Sequence, residues 1–246
     1  MMESVPAATL ILWRDGPPAE ILMVERAATM AFAAGAMVFP GGRVDPGDHA
    51  LAAGADDPGD AAARIAAIRE TIEETGIAVG LDPVPGAADL AHMRAALADG
   101  AGFAALLEAG GYRLMLDRLV PFARWCPPAG AETRRFDTRF YVADAPAETR
   151  ALADGSETTA VRWTTPADVL ADAEAGRCHL IFPTLRNLER LAGLTDLAAL
   201  RGHAAAHPVR MIEPFVETDA EGGWLCIPDD VGYPVTRQRL SDVRRG

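Results

Sequence analysis

Cysteine is scarce in this chain. Its three residues, Cys126, Cys178 and Cys226, lie far apart with no CxxC spacing. An odd, scattered set argues against a disulfide framework or a zinc ribbon and fits a reducing, cytoplasmic setting. Basic residues are outnumbered, 23 against 35 acidic, for a formal net charge of −12. Non-specific nucleic-acid binding needs positive surface to neutralise phosphates, so the charge balance argues against that class. Long apolar runs are missing too: nothing approaches the roughly 20 residues that span a bilayer, and no membrane role is expected. The N-terminal "MMESVPAATLILWRDG" has no basic n-region, and Trp13-Arg14-Asp15 interrupts its apolar run. It reads as a first strand rather than a leader. The histidines at 49, 92, 179, 203 and 207 show no HxxH or HExxH spacing, and no G-x-S-x-G elbow is present. Aromatics make up only 6% of the chain while half of it is apolar. A sizeable core would therefore be built from Ala, Leu, Ile and Val.

What is present is an alternation of strand-like and helix-like segments. "AATLILW" and "AEILMVERA" are β-rich runs separated by the turn signal "RDGPP", and "AMVFPGG" reads as a short strand entering a glycine turn. "AAARIAAIRETIEET" reads as a helix capped near Asp60 and stopped at Gly76, with "IAVG" as a strand after it. Residues from about 85 to 110 look helical and carry no recognisable chemistry. β-character returns in "RLVPFARW", "FDTRFYVADAP" and "TTAVRW"; helices follow over "PADVLADAEAG", "FPTLRNLERLAGL" and "TDLAALRGHAAAH"; and "VRMIEPFVE" and "GWLCIP" flank a final turn. This mixture predicts one α+β or α/β domain over residues 1–246, with no internal repeat or linker.

Two stretches concentrate the chemistry: "FPGGRVDPGD" (Phe39 to Asp48) and "IRETIEETG" (Ile68 to Gly76). On a helix, Glu70, Glu73 and Glu74 are related by i+3 and i+4, so their carboxylates project from one face. Such like-charge crowding is unfavourable, more so at a helix C-terminus, where the dipole disfavours anions. A hard divalent cation, Mg²⁺ or Mn²⁺, would relieve it through oxygen ligands, and Arg69 could orient a carboxylate by a charge-assisted hydrogen bond. The same residues also suit an ordinary solvated face, opposite the stripe Ile65, Ile68 and Ile72. Periodicity does not separate the two readings.

The two stretches together resemble the Nudix box, G-x5-E-x7-R-E-U-x-E-E-x-G-U, where U is apolar. "RETIEETGI" is similar to its second half. Gly42, five residues and then Asp48 are similar to its first, with Asp in place of Glu. Thr71 stands at an apolar position, and 20 residues separate Asp48 from Arg69 where the consensus has seven. The extra segment, near 49–58, reads as a loop; closure entropy grows slowly with length, so the halves can still meet. An interrupted box of this kind resembles the peroxisomal coenzyme A diphosphatase branch and its bacterial relatives. That branch carries L-L-T-x-R-[SA]-x3-R-x3-G-x3-F-P-G-G upstream. Here Arg26, Ala27, Gly35 and Phe39-Pro40-Gly41-Gly42 are in register, while Val24 replaces the threonine and Ala31 the second arginine.

The resemblance implies an α+β Nudix fold, an α/β/α sandwich around a mixed sheet, with an insertion in the box near 49–58, a helical insertion near 85–110 and a C-terminal extension from about 195. It implies hydrolysis of a pyrophosphate bond in a nucleotide-type substrate, coenzyme A or acyl-CoA, with ADP-ribose, NADH or a nucleotide sugar as alternatives. A catalytically silent ligand-sensing module is the alternative of another class. By the same resemblance, Glu70, Glu73, Glu74 and the Gly41 carbonyl hold Mg²⁺ or Mn²⁺, and Arg69 positions the carboxylates. Arg26 meets substrate, and Gly42, Asp48 and Gly76 are structural. Glu157, in "DGSETTAVRW", is the candidate for a general base outside the box, with a solvated turn residue as its other reading. The 85–110 region is left as a lid, a pocket wall or a homodimer contact.

Overall fold

The computed structural model describes residues 4–29, 33–128, 135–146, 149 and 151–243. Its first strand, β1 (Val5–Arg14), is followed by β2 (Glu20–Arg26), β3 (Met37–Val38) and β4 (Gly41–Arg43). Two helices come next, α1 (Pro46–Leu51) and α2 (Pro58–Thr75), then β5 (Leu81–Asp82), α3 (Ala87–Ala98), α4 (Phe103–Gly110) and β6 (Arg113–Leu114). The second half runs β7 (Val120–Trp125), β8 (Phe136–Asp144), β9 (Thr158–Thr164), α5 (Pro166–Glu174), α6 (Phe182–Leu191) and α7 (Leu197–Ala206). It ends with β10 (Met211–Ile212), β11 (Phe215–Asp219), β12 (Gly222–Cys226) and β13 (Arg237–Arg239).

The main sheet is mixed. Its path is β10-β7-β8-β1-β2-β3, with β4 joined to β1 and β9 to β2. β1 lies parallel to β8 and antiparallel to β2 and β4. A strand covered on both faces needs apolar residues at every position, which explains the unbroken "ATLILW". Ala8, Leu10 and Leu12 face one core layer with α2, and Ile11 and Trp13 face the other with α6 and α7. The result is the expected α/β/α sandwich. β11, β12 and β13 form a separate antiparallel sheet.

α2 is a core element rather than a surface helix. Its cap is Asp57, three residues before the expected Asp60: the Asp57 side chain accepts from the Asp60 amide at 2.9 Å, and Pro58 opens the first turn. Ile65, Ile68 and Ile72 are fully enclosed, each stabilising the fold by about 1.5–3 kcal/mol. Ala61, Ala62, Ala63, Ala66 and Ala67 are buried too, and their small side chains allow close approach to the sheet. Thr71 is also buried; its hydroxyl donates to the Ala67 carbonyl at 2.7 Å, which satisfies a polar group in an apolar position. The solvated-face reading of this helix therefore fails.

Other local expectations shift. "IAVG" is not a strand: Ile77–Val79 are buried irregular chain leading to β5, which pairs with β6. The segment expected as a loop begins inside a short helix, since α1 reaches Leu51. Near 85–110 the chain forms α3 and α4, whose Met93, Leu97, Phe103 and Leu107 join the core layer that contains α2.

Candidate active site

Arg69 is the hub of the site. Its side chain is buried at 7% exposure and binds oxygens from both halves of the motif. Nε and Nη2 donate to Asp48 Oδ1 and Oδ2 at 3.2 and 2.9 Å, and Nη2 also donates to the Arg43 carbonyl at 2.9 Å. Nη1 is shared by Glu70 Oε1 at 2.9 Å and Glu73 Oε1 at 3.0 Å. Asp48 is only 1% exposed, and its Oδ2 accepts a further bond from the Asp45 amide at 2.9 Å. A fork of planar donors suits this division of labour, and a lysine would not. The long spacer in the sequence thus closes in space through one guanidinium.

The glycine turn is shaped by close approach. A Cβ on Gly41 would lie 2.3 Å from the Ala8 carbonyl oxygen, and one on Gly42 would lie 2.4 Å from the Glu70 carboxylate. The freed Gly41 amide donates to Glu74 Oε2 at 2.9 Å. Gly76 closes α2 in the left-handed region, φ 67°, with its amide on the Ile72 carbonyl.

The electrostatics are strained. Burial pushes Glu70 up to about 7; Arg69 opposes this, while the charges of Glu73 and Glu157 add to it. Burial pushes Glu74 up to about 8, reinforced by Glu70 and Glu157 and opposed by the Gly41 amide and Arg26. One arginine does not neutralise this group of carboxylates. Arg69 itself is raised: its bonds to Asp48 and the nearby acids outweigh a burial effect of opposite sign.

These residues line a cleft of about 1750 Å³, which Arg26 and Glu157 also reach. Glu157 is exposed at its turn, but its carbonyl accepts a bond from the Ala27 amide at 2.8 Å, tying the turn to the end of β2. Ala31 lies outside the described residues. The donor set is chemically suited to a hard divalent cation: carboxylate oxygens only, with Glu74 buried and Glu70 and Glu73 partly exposed to the cleft. Among the described residues, no three Asp, Glu, His or Cys side chains already converge on one point. Glu70 and Glu73 instead accept from Arg69, and Glu74 from the Gly41 amide, each through one oxygen.

Sequence reasoning missed Arg94, on α3. Its Nε donates to the Glu73 carbonyl at 2.9 Å, and its Nη2 donates to the carbonyls of Glu74 at 3.1 Å and Leu152 at 2.7 Å. Backbone acceptors leave no side-chain pattern, so no sequence signal marked it. Also among the described residues, no helix is long and apolar enough to cross a membrane.

Comparison with known proteins agrees with the geometry. The model of the NUDT19 Nudix domain matches residues 48–191, more than half of the chain, and that of the NUDIX domain matches residues 3–89. A Nudix hydrolase structure from Alicyclobacillus acidocaldarius is 30% identical, with a TM-score of 0.72, covering 82% of this chain and 97% of its own. A Caenorhabditis elegans protein named as a nudix hydrolase is 32% identical over 179 residues, 72% of this chain. The acyl-coenzyme A diphosphatase NUDT19 of Gallus gallus is 27% identical over an alignment that takes in 87% of this chain. The chain spans 57% of the nematode protein's length and 73% of the chicken protein's. With both motif halves on one guanidinium and these matches across most of its length, the chain belongs to the Nudix family, in the branch of the NUDT19 Nudix domain.

Proposed function

We propose that this Nudix domain hydrolyses the diphosphate of a nucleotide-type substrate with the aid of Mg²⁺ or Mn²⁺, and that the substrate is coenzyme A or an acyl-CoA. The observation that carries the reading is the gathering of Glu70, Glu73 and Glu74 at one end of α2 beside the Gly41–Gly42 turn, where burial pushes Glu70 up to about 7 and Glu74 up to about 8. A cation bound there would supply charge against the diphosphate and make water a stronger nucleophile. Glu70, Glu73, Glu74 and the Gly41 carbonyl are its proposed holders. Arg69 keeps the first two aligned, and Asp48 keeps Arg69 in place.

The remaining steps fall to the chain's own groups. Water attacks phosphorus, one P–O bond of the diphosphate breaks, and two phosphomonoesters leave. Glu157, whose charge reaches both Glu70 and Glu74, is the proposed acceptor of the water proton. Arg26, which also lines the cleft, is the proposed contact for a substrate phosphate. On this reading residues 1–246 are one domain, with the 49–58 and 85–110 segments and the chain after about 195 added to a Nudix core. A homodimer is part of the same proposal.

Two facts favour a coenzyme A-type substrate over ADP-ribose. The chicken relative is named an acyl-coenzyme A diphosphatase. The cleft is larger than the roughly 300–1,000 Å³ of ordinary small-ligand pockets, and its lining includes Trp125, Phe136, Phe140, Phe182, Val216 and Leu225. Such an apolar wall suits a long, partly aliphatic chain. The test is product analysis of a panel (coenzyme A, a long-chain acyl-CoA, ADP-ribose, NADH and a nucleotide sugar) with Mg²⁺ and Mn²⁺. Cleavage of the CoA compounds, lost in Glu73→Gln and Glu74→Gln, is expected. A strong preference for ADP-ribose would overturn the substrate, and unchanged turnover in both variants would overturn the site.

A further inference from the structure

We propose that Arg94, which lies outside both halves of the motif, is a positioning residue that sets the distance between the carboxylate helix and the loop that carries Glu157. The proposal rests on the hydrolase reading above and concerns one further residue of that same site.

Three segments meet at its guanidinium. From α3 it reaches the last exposed carbonyls of α2, those of Glu73 and Glu74, and the carbonyl of Leu152 in the loop before β9. A helix ends with carbonyls that lack partners inside the helix, and a cation there answers both the open acceptors and the dipole. Arg94 packs beside Gly76, where a Cβ would meet Nη1 at an ordinary contact distance of 3.5 Å, so the glycine is required by its left-handed φ of 67°.

The loop is fixed from its other side as well. The Leu152 amide donates to the Thr75 carbonyl at 2.9 Å, so residue 152 is bound directly to the end of α2 through its amide and to Arg94 through its carbonyl. Two residues on, the Asp154 carboxylate accepts from the amides of Ser156 at 2.5 Å, Glu157 at 2.7 Å and Thr158 at 3.1 Å, which folds the turn that presents Glu157. The charge of Asp154 also acts on Arg94. Arg94, Leu152, Asp154 and Glu157 all border the cleft with Glu73 and Glu74. Arg94 is thus the one side chain described here that bonds both to the backbone of the metal-site glutamates and to the loop. Nothing in its own position requires that it touch substrate.

The test measures kcat and KM on coenzyme A and on ADP-ribose with Mn²⁺, for Arg94→Met, Arg94→Lys, Glu157→Gln and the Arg94→Met/Glu157→Gln double variant. Thermal unfolding confirms that each variant is folded. Misplacement of reacting groups by about 1 Å can cost about a hundredfold in rate, so Arg94→Met should lose about ten- to a hundredfold in kcat with KM unchanged. Arg94→Lys should recover part of that loss. Because groups that act as one unit are not additive, Arg94→Met should cost almost nothing further once Glu157 is Gln. A raised KM with kcat intact would make Arg94 a substrate contact and overturn the proposal. A full additional loss in the double variant, or no effect of Glu157→Gln, would overturn its route through the loop. Should Arg94→Met fail to fold, the Arg94→Lys pair carries the same comparison. Wild-type cleavage of neither compound would instead count against the hydrolase reading itself.

Discussion

Asp48 and Glu73 bind the same guanidinium, yet replacing them should have opposite consequences. Asp48→Asn keeps the size and one oxygen of a side chain that is 1% exposed. As the aspartate, it accepts Arg69 Nε, Arg69 Nη2 and the Asp45 amide. An amide nitrogen cannot accept, so whichever way Asn turns, a donor meets a donor. Losing one charged hydrogen bond costs about 1.5–3 kcal/mol and an unsatisfied buried group about 1–3, so a destabilisation of about 2.5–6 kcal/mol is expected. For a domain of this size that lowers the melting temperature by roughly 5–24 °C. Glu73 keeps 30% of its side chain in solvent and accepts one bond from Arg69 at 3.0 Å. Glu73→Gln retains an acceptor there, and exposed pairs contribute only about 0–1 kcal/mol. It should therefore melt within a few degrees of wild type, roughly 0–4 °C, while losing its turnover. Both variants are measured by thermal and urea unfolding with EDTA present. A melting temperature for Asp48→Asn no lower than that of Glu73→Gln would refute the claim that the buried Asp48–Arg69 contact is what joins the two motif halves.

Gly42→Ala would put a methyl group 2.4 Å from the Glu70 carboxylate. The obstacle is the end of a side chain, so Glu70 should swing away: turnover should fall at least tenfold, about 1.4 kcal/mol in the barrier, with little change in melting temperature. Normal kinetics would show that Glu70 need not stay where it is. The metal-free protein should lose stability as pH rises from 7 to 8.5. Glu70 and Glu74 titrate near 7 and 8 in the fold, above the unfolded range, so the folded state holds protons that the unfolded chain has released. That contribution is complete below about pH 4.3 and disappears through the folded values, at up to about 1.4 kcal/mol per pH unit for each group. His203, lowered to about 4 by burial and by Arg190 beside it, works in the opposite sense below about pH 6.5, which is why the window starts at 7. Mn²⁺ should raise the melting temperature more at pH 8.5 than at pH 7; a metal-free melting curve that improves across this window would contradict the assignment.

Much of this was legible in the residues, for identifiable reasons. The central strand announced itself because burial on both faces demands an unbroken apolar run, as in Leu10–Trp13. The motif halves were legible through their resemblance to a known box, while the contacts behind it are long-range: Gly41 is required by the Ala8 backbone on β1 and Gly42 by the Glu70 carboxylate on α2. The course between them was less so. α1 begins at Pro46, and Asp48 is buried in it, whereas a Gly- and Ala-rich stretch carries no periodic signal. α2 misled the periodicity argument because its second buried face is alanine, and because Thr71 hides its hydroxyl on the Ala67 carbonyl. A pattern of large apolar residues cannot register either device.

Arg94 shows a deeper limit. Sequence patterns pair side chain with side chain, but this arginine acts on carbonyls that every residue possesses. The crowding of Glu70, Glu73 and Glu74 at a helix C-terminus seemed to call for a cation, and the fold supplies two cationic groups of its own. Arg69 binds the carboxylates from within the helix, and Arg94 binds the carbonyls at its end. Glu70 and Glu74 nevertheless remain displaced to about 7 and 8. The arginines hold the geometry without discharging the site. On the proposed reading, a divalent cation would find its oxygen ligands in these carboxylates, held in place by Arg69 and Arg94, and would favour their ionised form against the burial that raises them.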